Sequence, residues 1–170
     1  MSSNPYAVPR AEVADVAQEF QEVRLWSASG RIGRLRYLAY STASSLLIGA
    51  VAALGILLLG ETVGSILIVI AYLALAVFGI LMMIQRSHDM DWSGWYILLA
   101  LIPFVALIWL FKAGSPQANR YGAPPPPNTL AVKILAALFP VLIILGIVAA
   151  IAIPAYVGSS QETQIQQVDP

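Results

Sequence analysis

The chain has 170 residues, 59% of them hydrophobic and only 11% charged, with a mean hydropathy of +0.78. Those values exclude an ordinary soluble globular domain and fit a small protein with several membrane spans. It has no cysteine, one histidine (His88), and nine basic residues against nine acidic ones, which excludes disulfides, thiolate or multi-histidine metal sites and cysteine nucleophiles.

The polar leader, residues 1–28, opens with Asn4-Pro5-Tyr6-Ala7-Val8-Pro9, where two prolines favour an extended segment. It lacks an apolar core of the signal-peptide kind. Across 11–26, Val13, Val16, Ala17, Phe20, Val23 and Leu25 recur near helical spacing between Glu12, Asp15, Glu19 and Glu22. That pattern predicts a short amphipathic helix whose apolar face docks on protein, since its acidic side repels anionic lipid. Gly30-Arg31-Ile32-Gly33-Arg34-Leu35-Arg36-Tyr37 follows. Arg31, Arg34 and Arg36 at the mouth of a span read first as a positive-inside anchor, and second as holders of lipid phosphates or partner carboxylates.

Four apolar runs come next, at 37–59, 63–84, 95–111 and 134–156. A helix needs about 20 apolar residues to cross the roughly 30 Å hydrocarbon core, and the third run is slightly short. Unsatisfied backbone is intolerable in lipid, so the expected fold is an all-α, polytopic membrane helix bundle. It has four hydrophobic helices, the third broken or kinked at Pro103, plus the short N-terminal amphipathic helix. Gly60-Glu61-Thr62 joins the first two spans. Trp92, Trp95, Tyr96, Trp109 and Phe111 bracket the third run as an interfacial belt. Small residues, Gly49, Ala52, Ala53 and Gly55 among them, permit close helix approach and allow a homo-oligomer.

The proline run 124–127 favours a stiff polyproline spacer. It divides a three-run core (29–123) from a linker (124–133), a last membrane helix (134–157) and a polar tail (158–170). Residues 1–9 and 158–170 offer little apolar surface and are expected to be disordered.

If every run crosses, the N-terminus is cytoplasmic, and Lys112, Arg120 and Lys133 lie outside against the positive-inside bias. If the Pro103 run is re-entrant, all nine basic residues fall inside and the tail emerges outside. Re-entrant segments are uncommon, so four full crossings are expected, with the N-terminus cytoplasmic in either case.

The cluster Arg86-Ser87-His88-Asp89 carries most of the chemistry available. His88 could exchange protons and Asp89 could orient it, but neighbouring helical residues point apart. No charge sits inside a run, which weakens a proton-driven carrier, and no phosphate loop or nucleic-acid patch exists. The expected catalytic set is empty, and neither cofactor nor metal is expected. Structural pairing of Arg86 or His88 with Asp89 or Asp91 is the leading reading.

The basic entry 30–37, Arg86-Ser-His-Asp89, Ser93-Gly-Trp95, Ile102-Pro103 and Asn119-Arg120-Tyr121-Gly122, in that order, resemble the bacterial inner-membrane family catalogued as domain of unknown function 805. The resemblance covers about 28–125 and implies a bacterial inner-membrane location without supplying an activity. It makes Arg31, Arg34, Arg36, Arg86, His88, Asp89, Trp95, Asn119, Arg120 and Tyr121 a structural or binding cluster. Ile144-Leu-Gly-Ile-Val-Ala-Ala-Ile-Ala-Ile-Pro-Ala-Tyr156 is similar to the N-terminal hydrophobic helix of type IV pilins, which anchors the subunit and packs in the filament core. Val132 and Lys133 stand at the cleavage junction of that pattern and Ala137 at its assembly glutamate, so docking through Gly146, Ala149, Ala150 and Pro154 is expected rather than processing.

The expected function is therefore non-enzymatic: a structural, regulatory or accessory integral membrane protein acting through helix–helix contacts. Its expected partners are the lipid bilayer and other membrane helices, pilus-type or secretion assembly proteins included, with no nucleic acid. A small transporter or channel subunit using residues 86–91 is the alternative, and a membrane enzyme using His88 and Asp89 the third.

Overall fold

The computed structural model describes residues 19–168, with side-chain surroundings defined through residue 159. The described residues are all-helical apart from loops and one isolated backbone bridge between Asn119 and Gly122. Helix α1 spans Arg34–Asp89 and is bent back on itself at Gly60, where φ is 79° and ψ 171°. A β-carbon is costly in that conformation, so the Gly-Glu-Thr turn of the sequence is the place where the chain can reverse. The two arms, 34–59 and 61–89, then run antiparallel. Gly55 and Gly64 let them meet closely near the turn: a Cβ on Gly64 would lie 2.8 Å from the Ile56 backbone. At the far end Ile32 donates its backbone N–H to the Gln85 carbonyl at 3.3 Å. The hydroxyls of Ser41, Thr42, Ser44 and Ser45 return to carbonyls four residues back, so these polar groups enter the helix already satisfied.

The third apolar run does not form a fourth spanning helix. A 3-10 helix covers Gly94–Leu101, turns follow around Pro103, and α2 is only Leu107–Phe111. At rises of about 2.0 Å and 1.5 Å per residue, neither piece approaches the roughly 30 Å needed to cross. Pro103 lacks an N–H and excludes α geometry before it, and three-residue hydrogen bonds such as Val105 N–H to Ile102 O (3.2 Å) carry the chain around. Both ends of the run return to the last turn of the second arm. Trp109 donates Nε1–H to Ser87 Oγ at 2.8 Å, and its ring meets that of Trp92 edge-on at 5.9 Å. The tip, with Leu101 82% and Phe104 84% exposed, points away from the protein.

Helix α3, Leu130–Val168, is continuous through Pro140 and Pro154. It starts beside the start of α1, where Val132 and Ala136 pack on Ala39, and runs parallel to the first arm. Two helices, α1 and α3, are long and apolar enough to cross a membrane.

Two expectations need correction. Residues 11–18 of the amphipathic segment lie outside the described residues, and 19–26 are irregular rather than helical. Their backbone is claimed by tertiary partners: Gln21 N–H donates to Pro124 O at 3.0 Å, and Gln85 Nε2 to the Arg24 and Ser27 carbonyls. The tail was expected to be disordered, yet residues 158–168 continue α3; residues 1–9 and 169–170 lie outside the description.

Candidate functional site

Arg31 enters from the segment before α1 and is 1% exposed. Its fork of N–H groups makes five hydrogen bonds to four acceptors: Nε and Nη2 reach Asp89 Oδ1 (3.3 and 3.1 Å), Nη2 also reaches Ser115 O (2.6 Å), and Nη1 reaches Gln117 O (2.9 Å) and Gly122 O (3.0 Å). Arg86, one turn before the end of α1, gives Nη1 to Asp89 Oδ2 at 2.7 Å, Nε to Trp109 O at 3.0 Å and Nη2 to Lys112 O. One buried carboxylate thus bridges two buried guanidiniums, and loop carbonyls face the excess positive charge. Such charges survive burial only when hydrogen-bonded this fully.

The remaining motif residues lock the same loop from outside. Arg34 donates to Phe111 O at 3.1 Å, and Arg36 to Pro126 O and Pro127 O at 3.2 Å each. Asn119 Nδ2 donates to His88 O at 2.8 Å, while its Oδ1 accepts from Tyr121 N at 2.9 Å. Tyr121 stacks flat on His88, with centroids 3.8 Å apart and planes 7° from parallel. Arg120 pairs with exposed Asp91 at 3.2 Å. The Gln21 amide is wedged between Gly30 and Gly122, both at positive φ; a Cβ on either would approach it to 2.9 Å.

The structure therefore gathers Arg31, Arg86, His88, Asp89, Asn119, Arg120 and Tyr121 into one polar knot, with Arg34 and Arg36 on its rim. Trp95 stands apart, 78% exposed, beside a cleft at His88. Asp89 does not orient His88: both its oxygens are held by arginines, and the His88 Nδ1 faces Gly30 O at 3.2 Å. Among the described residues no cluster of three histidine or acidic side chains gathers that could hold a metal. Gly146, Ala150 and Pro154 are exposed and Ala149 half-buried, so the described chain does not cover that face of α3.

Sequence reasoning missed three participants. Trp109, assigned to the interfacial belt, is fully buried under the knot, because its indole N–H finds Ser87 and its carbonyl finds Arg86. Gly114 touches Asp89 so closely that a Cβ would fall 1.8 Å from Oδ2. Gln85 holds the leader by two carbonyls. None of the three has a local sequence signature.

These features define a helical membrane protein whose polar groups close one end of the bundle. The chain belongs to the family described as protein of unknown function (DUF805), whose model matches residues 25–123, more than half of its length. It is similar to the inner membrane protein YhaH of Escherichia coli strain K12 and of Escherichia coli O157:H7, each 42% identical over 45 residues. The match covers 24% of this chain and 37% of each relative, so the chain spans little more than a third of the relatives it matches. No solved structure matches. The relatives and the apolar helices together support an inner-membrane location.

Proposed function

We propose that this chain is a non-enzymatic accessory protein of the bacterial inner membrane, built to present its last helix to another membrane protein. The observation that carries this reading is the contrast along α3. Its start is clamped by Arg36 through Pro126 and Pro127 and packed on Ala39, whereas Gly146, Ala150 and Pro154 lie exposed further on. A Cβ on Gly146 would meet nothing within 4 Å, leaving room for a close helix neighbour. The knot supports the same reading, because its charged groups are engaged with one another and with backbone.

In this reading the knot faces the cytoplasm. Arg24, Arg31, Arg34, Arg36, Arg86, Lys112, Arg120 and Lys133 all belong to the knot end, and the Gly60 turn carries only Glu61. The two arms of α1 and the single pass of α3 make three crossings, with run three re-entrant and the C-terminus outside. The likeness of 144–156 to pilin helices makes type IV pilus or secretion machinery the first partner class to test.

A photo-crosslinking residue at Ile147, placed in native membranes, is expected to give a discrete adduct with another membrane protein. Gly146→Leu with Ala150→Leu should abolish that adduct while leaving the knot folded. Lipid adducts alone at every exposed position of the helix would overturn the reading.

A further inference from the structure

The cleft beside the knot has a feature that closing the fold does not require. His88 is 9% exposed and lies at the wall of a cavity of about 380 Å³, between the end of the second arm and the 3-10 helix. Its Nδ1 lies 3.2 Å from the Gly30 carbonyl, which can only accept, so Nδ1 carries the proton. In the neutral ring Nε2 is then a bare acceptor. It faces Gly94, whose Cβ, if present, would lie 3.5 Å away, and no protein donor reaches it among the described residues. Tyr121, stacked on the other face of the imidazole, holds the ring in this orientation.

The rest of the lining selects the ligand. Ala28, Ile84, Trp95, Ile97 and the Tyr121 ring supply apolar and aromatic walls, Ser93 and Tyr121 each bring a hydroxyl, and no acidic or basic side chain other than His88 lines the cleft. An ion would lose its hydration there without a counter-charge, so the lining disfavours charged ligands. A flat, mostly apolar molecule with one hydroxyl gains both the walls and the nitrogen, in a cavity of the size that small ligands occupy. Exposed Trp95 stands at the mouth, at the start of the apolar run 95–111, so in the proposed topology the cleft opens beside the segment that enters the lipid.

We propose that this cleft binds a neutral phenol- or quinol-type molecule from the lipid phase, its hydroxyl donated to His88 Nε2. The site is independent of what the last helix docks on.

His88 is the single histidine of the chain, so imidazole ¹⁵N labelling yields one residue's signals from the full-length protein in nanodiscs. Titration with 2-naphthol is expected to shift the Nε2 resonance saturably and leave Nδ1 in place. Naphthalene, the same body without the hydroxyl, should not shift it. Gly94→Leu should fill the cleft and remove the response, with an unchanged Nδ1 resonance reporting an intact knot. Where that variant disturbs Nδ1, Ile97→Trp fills the cleft from one 3-10 turn further along. A proton found on Nε2 instead of Nδ1, an equal effect of naphthalene, no saturable shift, or a shift that survives in a folded, cleft-filled variant each overturns the proposal.

Discussion

Gly114→Ala adds one methylene-sized group at the point where the loop lies against the buried carboxylate. The new Cβ would stand 1.8 Å from Asp89 Oδ2, 2.5 Å from Cγ and 3.0 Å from Oδ1. An ordinary contact needs roughly 3.5 Å, so the two must separate by about 1.7 Å. Neither side can retreat cheaply. Ser115, next in the chain, donates its N–H to Asp89 O at 2.7 Å and accepts at its carbonyl from Arg31 at 2.6 Å, while Oδ2 accepts from Arg86 at 2.7 Å. Separation on that scale breaks at least one arm of the ion triad, and breaking a buried pair costs about 3–5 kcal/mol. The entropic benefit of replacing glycine offsets only about 0.4–1 kcal/mol. The net loss of about 2–4.6 kcal/mol, centred near 3, is a roughly hundredfold shift towards the detached loop, at 1.4 kcal/mol per tenfold. Gly146→Ala, with open space around it, is the matched control. Thermal unfolding followed by tryptophan fluorescence in nanodiscs, with protease access to residues 112–127, reads both variants. A Gly114→Ala protein within about 1 kcal/mol of Gly146→Ala would refute so close an approach of Gly114 to Asp89.

Asp89→Asn should leave Arg31 and Arg86 uncompensated and cost about 3–5 kcal/mol, whereas Arg86→Met with Asp89→Leu should lose less than the sum of its single changes. Strict additivity in the unfolding cycle would mean the ion pair is not formed. Gly60→Ala meets nothing within 4 Å, so its expected cost of about 1–3 kcal/mol is conformational alone; an unaltered unfolding midpoint would argue against a reversal at that residue. In this cysteine-free chain, single cysteines at Ser160 and Gln117 report sidedness to an impermeant maleimide on intact cells. Ser160 should label and Gln117 should stay protected; the opposite pattern would restore a fully crossing third run.

The apolar runs announced helices because burial in lipid leaves the backbone no other local solution, and Gly60 and Pro103 announced the interruptions because their constraints are local too. The path of the third run was less legible. Lys112, Arg120 and Lys133 hinted at it through charge, but length and hydropathy pointed to a fourth crossing. What decides the path is hydrogen bonding of Arg86 and Arg31 to carbonyls 23 to 91 residues away, and a carbonyl has no sequence signature. The motif residues could be recognised as a set, but not as a single contact network. Residues 19–26 leave their helical periodicity for a similar reason: Gln85 grips the Arg24 and Ser27 carbonyls, and Trp26 packs on Phe78.

A re-entrant segment creates a particular demand, because its ends sit at the membrane boundary with carbonyls that no ladder satisfies. Four consecutive prolines make this worse, since they offer acceptors and no donors. Arginine answers the demand with five fixed N–H groups and a charge that burial does not remove, and Arg31, Arg36 and Arg86 each reach at least two carbonyls. The same residues supply the positive charge that orients the bundle in the proposed topology, so two roles coincide in one side chain. Lysine separates them. Arg31→Lys keeps the charge and should preserve the orientation reported by Ser160, yet its three donors on a flexible stem cannot span Asp89, Ser115, Gln117 and Gly122 together. The loop 112–127 should become protease-sensitive at unchanged topology. If Arg31→Lys instead leaves the loop protected, charge alone holds it, and the fork geometry is incidental.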